Sequence, residues 1–191
     1  MLSWSRDLLD RADPDRTSVV DVGCGESVMV DALLIDGWQR ITLLDISAVA
    51  LDRVRSRLGS EVADTGSGAS LHSGGSRLTF TACDVLAWQP VETYSAWHDR
   101  AVLHFLTDDA ERKSYVALAS RAVRSGGGLV LGGFAPDGPD TCSGLPVARR
   151  SPAQLADEFG ADFRLEESWR HVHATPWGAE QVFTWVLLRR R

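Results

Sequence analysis

VVDVGCGES, from Val19 to Ser27, is the stretch on which the fold turns. Its β-branched start reads, with Ser18, as a buried strand from Ser18 to Val22. The glycines on either side of Cys24 then form a tight turn directly before a helical pattern. Upstream, Ser3 to Arg11 has the spacing of a short helix that Asp13-Pro14 stops. Downstream, a helix from Ser27 to Ile35 closes at Gly37, and Arg40 to Ile46 reads as a second buried strand. Ser47 then caps a helix running to about Leu58. This is a β-α-β-α order, in which helical crossovers join parallel neighbours.

The same alternation continues along the chain. Gly59 to Ser76 is crowded with Gly and Ser and has no periodicity, so it reads as a flexible surface loop. Leu78 to Cys83 is a third strand and Tyr94 to His98 a fourth. Thr107 to Val123 is a helix expected to end on the Gly126-Gly127-Gly128 run, and Leu129 to Phe134 is a fifth strand. The Pro- and Gly-containing segment 135–150 reads as an ordered loop where a substrate lid belongs. Ser151-Pro152 supplies an N-cap and a first-turn proline for a helix ending near Gly160. The last strands, Phe163 to Ala174 and Gln181 to Arg189, are joined by Thr175 to Gly178, a link short enough only for antiparallel pairing. The predicted fold class is α/β: one three-layer, Rossmann-like domain over residues 1–191, with a seven-stranded, mostly parallel sheet ending in an antiparallel hairpin.

Composition narrows the function classes. At 44% hydrophobic and 24% charged, the 191 residues match a globular domain and exclude disordered and membrane-spanning classes. The 20 basic against 26 acidic residues give a net charge of −6, which disfavours a nucleic-acid partner, since that affinity comes from neutralising phosphates. Three scattered cysteines without CxxC spacing support neither a disulfide framework nor a zinc knuckle. His171 and His173 point to one face of their strand, but with Cys142 they lack a fourth ligand, so no metal is assigned. The N-terminus has no uninterrupted apolar run, and a cytoplasmic protein without membrane contact is expected.

In open α/β sheets ligands sit beyond the carboxyl ends of the strands. The first such end carries Asp21, Gly23 and Gly25. A dinucleotide fingerprint wants a third glycine where Val28 stands, which weakens the pyrophosphate version. The second end carries Asp45 in LLDIS, where a carboxylate can accept hydrogen bonds from both ribose hydroxyls. The third carries Asp84 in TACDV, where a carboxylate can accept the amine of an adenine. Each acid alone has an ordinary reading as a cap or turn residue; three at successive strand ends form a pattern.

These residues, with AVLHFL at Ala101 to Leu106 and GGGLVLGGF at Gly126 to Phe134, resemble the class I S-adenosylmethionine-dependent methyltransferases over most of the chain. The resemblance implies that family's methyltransferase fold and S-adenosylmethionine as cofactor, with S-adenosylhomocysteine as product. It implies that Asp21, Gly23 and Gly25 border the methionine part, that Asp45 holds the ribose, and that Asp84 with Val85 frames the adenine. Cys24 and Ile46 would line the same cleft, and Trp4, on an N-terminal helix, would close over it. Ser27 departs from the family's fuller glycine series.

The fourth strand end, WHDRAVLHFL from Trp97 to Leu106, would face the transferred methyl. His98 is a further cofactor contact there, Asp99 and His104 are the catalytic candidates, and Arg100 is a substrate contact. His104, with an ordinary pKa near 6.5, suits a base; the competing reading is a histidine packed beneath the next helix. Asp99 and Arg100 have the alternative of pairing with each other or with loop backbone. Gly144 to Gly160 and Asp99-Arg100 resemble the matching parts of thiol methyltransferases, and Cys142 is a substrate candidate beside its plainer reading as a packing residue. The expected partner is a small-molecule methyl acceptor with oxygen, nitrogen or sulfur as nucleophile. The alternatives are a protein methyltransferase and an inactive cofactor-binding module. The sequence leaves the oligomeric state unassigned.

Overall fold

The computed structural model describes residues 2–59, 77–174, 178 and 180–191. The elements run α1 (Leu2–Ala12), β1 (Ser18–Val22), α2 (Met29–Asp36), β2 (Arg40–Asp45), α3 (Ala48–Leu58), β3 (Leu78–Ala82), β4 (Tyr94–Arg100) and α4 (Asp109–Ala122). They continue with β5 (Val123–Phe134), β6 (Thr141–Cys142), β7 (Leu145–Pro146), α5 (Pro152–Phe159), β8 (Phe163–Ala174) and β9 (Glu180–Arg190). Seven strands form one sheet in the order β3-β2-β1-β4-β5-β9-β8, and β6 pairs with β7 in a separate ribbon. The first five are parallel in space, while β9 runs antiparallel to both β5 and β8.

Both faces of the sheet are covered, which is why β1 is buried at every position and shows no polar alternation. Leu8, Leu9, Leu33 and Val54 of α1–α3 pack on one face with Val19 and Ile41. Tyr115, Leu118 and Phe159 of α4 and α5 pack on the other with Val20, Leu129 and Val186. The caps work as their residue types dictate. Ser47 accepts from Ala50 N–H at the start of α3, Ser151 and Gln154 form a reciprocal capping box at α5, and Gly37 ends α2 in the left-handed region.

Several sequence expectations change. The Gly126–Gly128 run does not end a helix: α4 stops at Ala122, and β5 begins at Val123. Pairing between β4 and β5 jumps from Tyr94↔Val123 to Ala96↔Gly128, leaving a bulge that contains Gly126 and Gly127. A Cβ on Gly128 would lie 2.6 Å from Ala12 Cα, so this glycine lets the end of α1 lie against the strand. The sheet does end in the expected antiparallel hairpin, with β9 between β5 and β8 and β8 at the edge. β4 runs two residues further than expected, so Asp99 and Arg100 lie on the strand itself. The β6–β7 ribbon was not foreseen. It turns on Ser143 and Gly144, both at positive φ (52° and 80°), as a two-residue hairpin requires. The expected Gly/Ser loop falls, apart from Gly59, outside the described residues, as does most of the turn Thr175 to Gly178.

Candidate functional site

Because β3, β2 and β1 are adjacent and parallel, the acids at their ends share one rim. The glycine turn is suspended from the end of β2: Gly23 N–H donates to Leu44 O at 2.7 Å, and Gly25 N–H donates to Asp45 Oδ2 at 2.7 Å. The other Asp45 oxygen accepts from Ser47 N–H at 2.8 Å, so one carboxylate ties the turn to the start of α3. Gly23 has φ +63°, and a Cβ there would fall inside the envelope of Val102 Cγ2. Asp84 is exposed and caps the short turn Val85–Ala87 by accepting from Leu86 N–H at 2.9 Å, with Val85 buried beside it. Ile46 stands 76% exposed next to Asp45. Cys24 is buried, and burial together with the charges of Asp21 and Asp45 raises its thiol pKa well above the ordinary value, which keeps it protonated.

Asp21 and His98 are register partners across β1 and β4. Asp21 Oδ1 lies 2.7 Å from His98 Nδ1, and His98 Nε2 lies 3.1 Å from Ser5 Oγ on α1. All three residues are buried, and Trp185 of β9 stacks on the imidazole with ring centroids 6.3 Å apart. Asp21 Oδ2 is buried with no hydrogen-bond partner among the described residues. Trp4 packs its half-exposed ring against His171 of β8, 6.1 Å between centroids.

On the opposite face of β4, Asp99 is buried and accepts from Val102 N–H at 2.7 Å, from Leu103 N–H at 3.0 Å and from the Tyr115 hydroxyl. Burial raises its pKa. Both oxygens thus hold the turn 102–105 and the α4 tyrosine, and Trp97 Nε1–H donates to Tyr115 in turn. Arg100 is the last residue of β4 and pairs in register with Gly132. Cys142, half-buried on β6, packs against the α1–α3 side of the core.

His104 follows in the short helical turn Leu103–Phe105. It is 4% exposed, its ring nitrogens have no partners among the described residues, and the rings of Phe105 and Phe134 lie against it with centroids 4.5 and 5.1 Å away. It lines a pocket with Leu131, Phe134, Ala148, Arg150 and Leu155. Arg112 and Arg150, which also border this pocket, both pair with Glu158. Burial pushes the His104 pKa down to about 4. The folded value lies below the unfolded 6.5, so the native state resists protonation and stability is lost as pH falls from 6.5 toward 4. Between pH 7 and pH 5 this contribution should fall by about 2 kcal/mol. Urea midpoints for wild type and His104→Leu at both pH values check it: equal pH slopes would rule out the titration of His104 as their source.

Ser5, Tyr115 and Trp185 had no signal in the sequence, because a core serine or aromatic residue looks like any other until its neighbours are known. Among the described residues no group of three or more His, Cys, Asp or Glu side chains is placed to hold a metal. No described helix is long and apolar enough to cross a membrane.

Five parallel strands, one antiparallel strand inserted before the edge, and an acid-lined rim beside a glycine turn define a Rossmann-like α/β fold, a class in which ligands sit beyond the strand ends. Residues 19–127, more than half of the chain, match the family model described as "Methyltransferase domain", and the chain belongs to this family, the class I S-adenosylmethionine-dependent methyltransferases. The N-methyltransferase NodS from Bradyrhizobium japonicum WM9 is similar in structure, with a TM-score of 0.72 at 17% identity over 98% of this chain and 94% of that one. The 1,6-didemethyltoxoflavin-N1-methyltransferase of Burkholderia thailandensis, solved with 1,6-didemethyltoxoflavin and S-adenosylhomocysteine, gives 0.74 at 18% over 100% and 78%. The glycopeptide N-methyltransferase MtfA, complexed with S-adenosylmethionine, gives 0.70 at 15% over 100% and 94%. At such identities the likeness is one of fold. No curated protein matches the chain.

Proposed function

We propose that this protein transfers the methyl group of S-adenosylmethionine to an oxygen, nitrogen or sulfur nucleophile of a small molecule. The observation that carries the reading is the shared rim of Asp21, Asp45 and Asp84 beside a turn in which only glycine fits at position 23. A buried carboxylate oxygen without a partner, Asp21 Oδ2, suits a cationic group, and the cofactor's amino-acid tail provides an ammonium. When bound, the cofactor supplies a methyl on a positively charged sulfur for in-line displacement.

Asp45 would hold the ribose hydroxyls, since a carboxylate oxygen that accepts one N–H keeps a second lone pair. Asp84 and Val85 would frame the adenine, with Ile46, Cys24 and Trp4 contributing apolar walls. On the acceptor side, His104 is a neutral imidazole at physiological pH and can take a hydrogen bond from an O–H or N–H. So weak a base leaves most of the work to alignment, which is worth roughly 7–11 kcal/mol of a barrier. Segment 135–150 is read as the lid. Ala148 N–H donates to His104 O at 2.7 Å and Arg150 N–H to Phe134 O at 3.1 Å, which fastens its end beside the pocket. Arg100 and Cys142 would border the acceptor. Asp99 acts by holding the turn that carries His104.

Titration calorimetry with S-adenosylmethionine and with NAD tests the cofactor, and preference for NAD would overturn the assignment. Incubation with methyl-labelled cofactor and cell lysate tests the acceptor. Label is expected in the small-molecule fraction; label confined to protein, or bound cofactor with no transfer, would overturn the reading.

A further inference from the structure

The row Ser5–His98–Asp21 links a helix near the N-terminus to the end of β1 through two hydrogen bonds, of 3.1 and 2.7 Å. A carboxylate only accepts, so His98 Nδ1 must donate to Asp21 Oδ1, and in the neutral ring Nε2 then accepts a hydrogen bond from the Ser5 hydroxyl. Both ring nitrogens are thereby satisfied, and the Trp185 stack, with planes 20° apart, fixes the tilt of the imidazole. A pair built only for stability would supply both carboxylate oxygens, because an unpartnered buried acceptor costs about 1–3 kcal/mol, and more when charged. Here one oxygen is supplied and the other, Oδ2, is left bare two residues before Gly23.

We propose that His98 and Ser5 are positioning residues that hold the Asp21 carboxylate with Oδ2 turned to receive the cofactor's α-ammonium, and so tie the seating of α1 to recognition of the amino-acid tail. This rests on the function proposed above. Helix α1 thereby becomes part of the cofactor site through Ser5, which is fully buried, and touches the tail only by way of two other side chains. The selectivity falls on the ammonium, the cationic group of the cofactor that can also donate hydrogen bonds to a lone carboxylate oxygen.

The test compares calorimetric affinities for S-adenosylhomocysteine and for 5′-S-(3-carboxypropyl)-5′-thioadenosine, which keeps the carboxylate and lacks the amino group. Wild type should prefer the former. His98→Leu should weaken S-adenosylhomocysteine about tenfold, equivalent to about 1.4 kcal/mol, and leave the deaminated compound within about twofold. His98→Asn, which keeps a donor near the Nδ1 position, should recover most of the loss. Ser5→Ala removes a single oxygen and gives the same selective loss at about two- to fivefold, which keeps the test intact should His98→Leu fail to fold. Equal losses for both compounds, or no loss for either, overturn the inference and leave the enzyme assignment standing. Failure of wild type to bind either compound overturns that assignment and the inference with it.

Discussion

Replacing Gly23 by alanine is expected to cost roughly 2–4 kcal/mol of stability and to abolish measurable cofactor binding. Two separate effects add. At φ +63° an L-residue in the left-handed region costs about 1–2 kcal/mol. The new methyl also collides with Val102 Cγ2, at the turn that Asp99 anchors. The Val102 side chain must shift, and the displacement passes to residues 102–105 and His104. Urea denaturation of Gly23→Ala and of Gly23→Ala/Val102→Ala separates the parts. The double variant should recover the packing loss and keep the backbone penalty, about 1–2 kcal/mol. A single variant within about 0.5 kcal/mol of wild type would show that the turn yields freely.

Asp45 should give the second large effect. Its carboxylate clamps Gly25 N–H and Ser47 N–H, and the proposed ribose contacts would add two charge-assisted hydrogen bonds. Such bonds are worth about 1.5–3 kcal/mol each. Asp45→Ala is therefore expected to weaken S-adenosylhomocysteine by about two powers of ten, with a smaller stability loss of about 1 kcal/mol from the freed N–H groups. Asp45→Asn keeps one acceptor but turns an amide NH₂ toward an N–H, so it should fall between wild type and Asp45→Ala. Calorimetry on the three proteins measures this. An unchanged affinity in Asp45→Ala would remove the residue from the site.

Local chemistry made much of the fold legible. Ser18 to Val22, Ser47 at the start of α3, and Ser151-Pro152 at α5 were readable because strand burial, caps and first-turn prolines depend on a few neighbouring residues. The glycine run at 126–128 misled for the same reason. Locally it looks like a helix stop, whereas it lies at a register shift in β5, and Gly128 admits the close approach of α1, a distant segment. The rim acids Asp21, Asp45 and Asp84 were legible because each ends a strand that the sequence already marks. The partners of His98 and Asp99, neighbours on one strand, were not, since strand alternation sends them to opposite faces of the sheet.

The sequence by itself determined the alternation of strands and helices, the rim on which a cofactor would rest and the family to which the chain belongs. These follow from periodicity and turn residues that act over a few positions. Tertiary structure alone decided that β9 lies inside the sheet, that Asp99 supports a turn, that His104 is buried without partners, and that Ser5 meets His98. Each of these joins segments far apart in the chain, and hydrogen bonding and burial between such segments exist only once the sheet has brought them together.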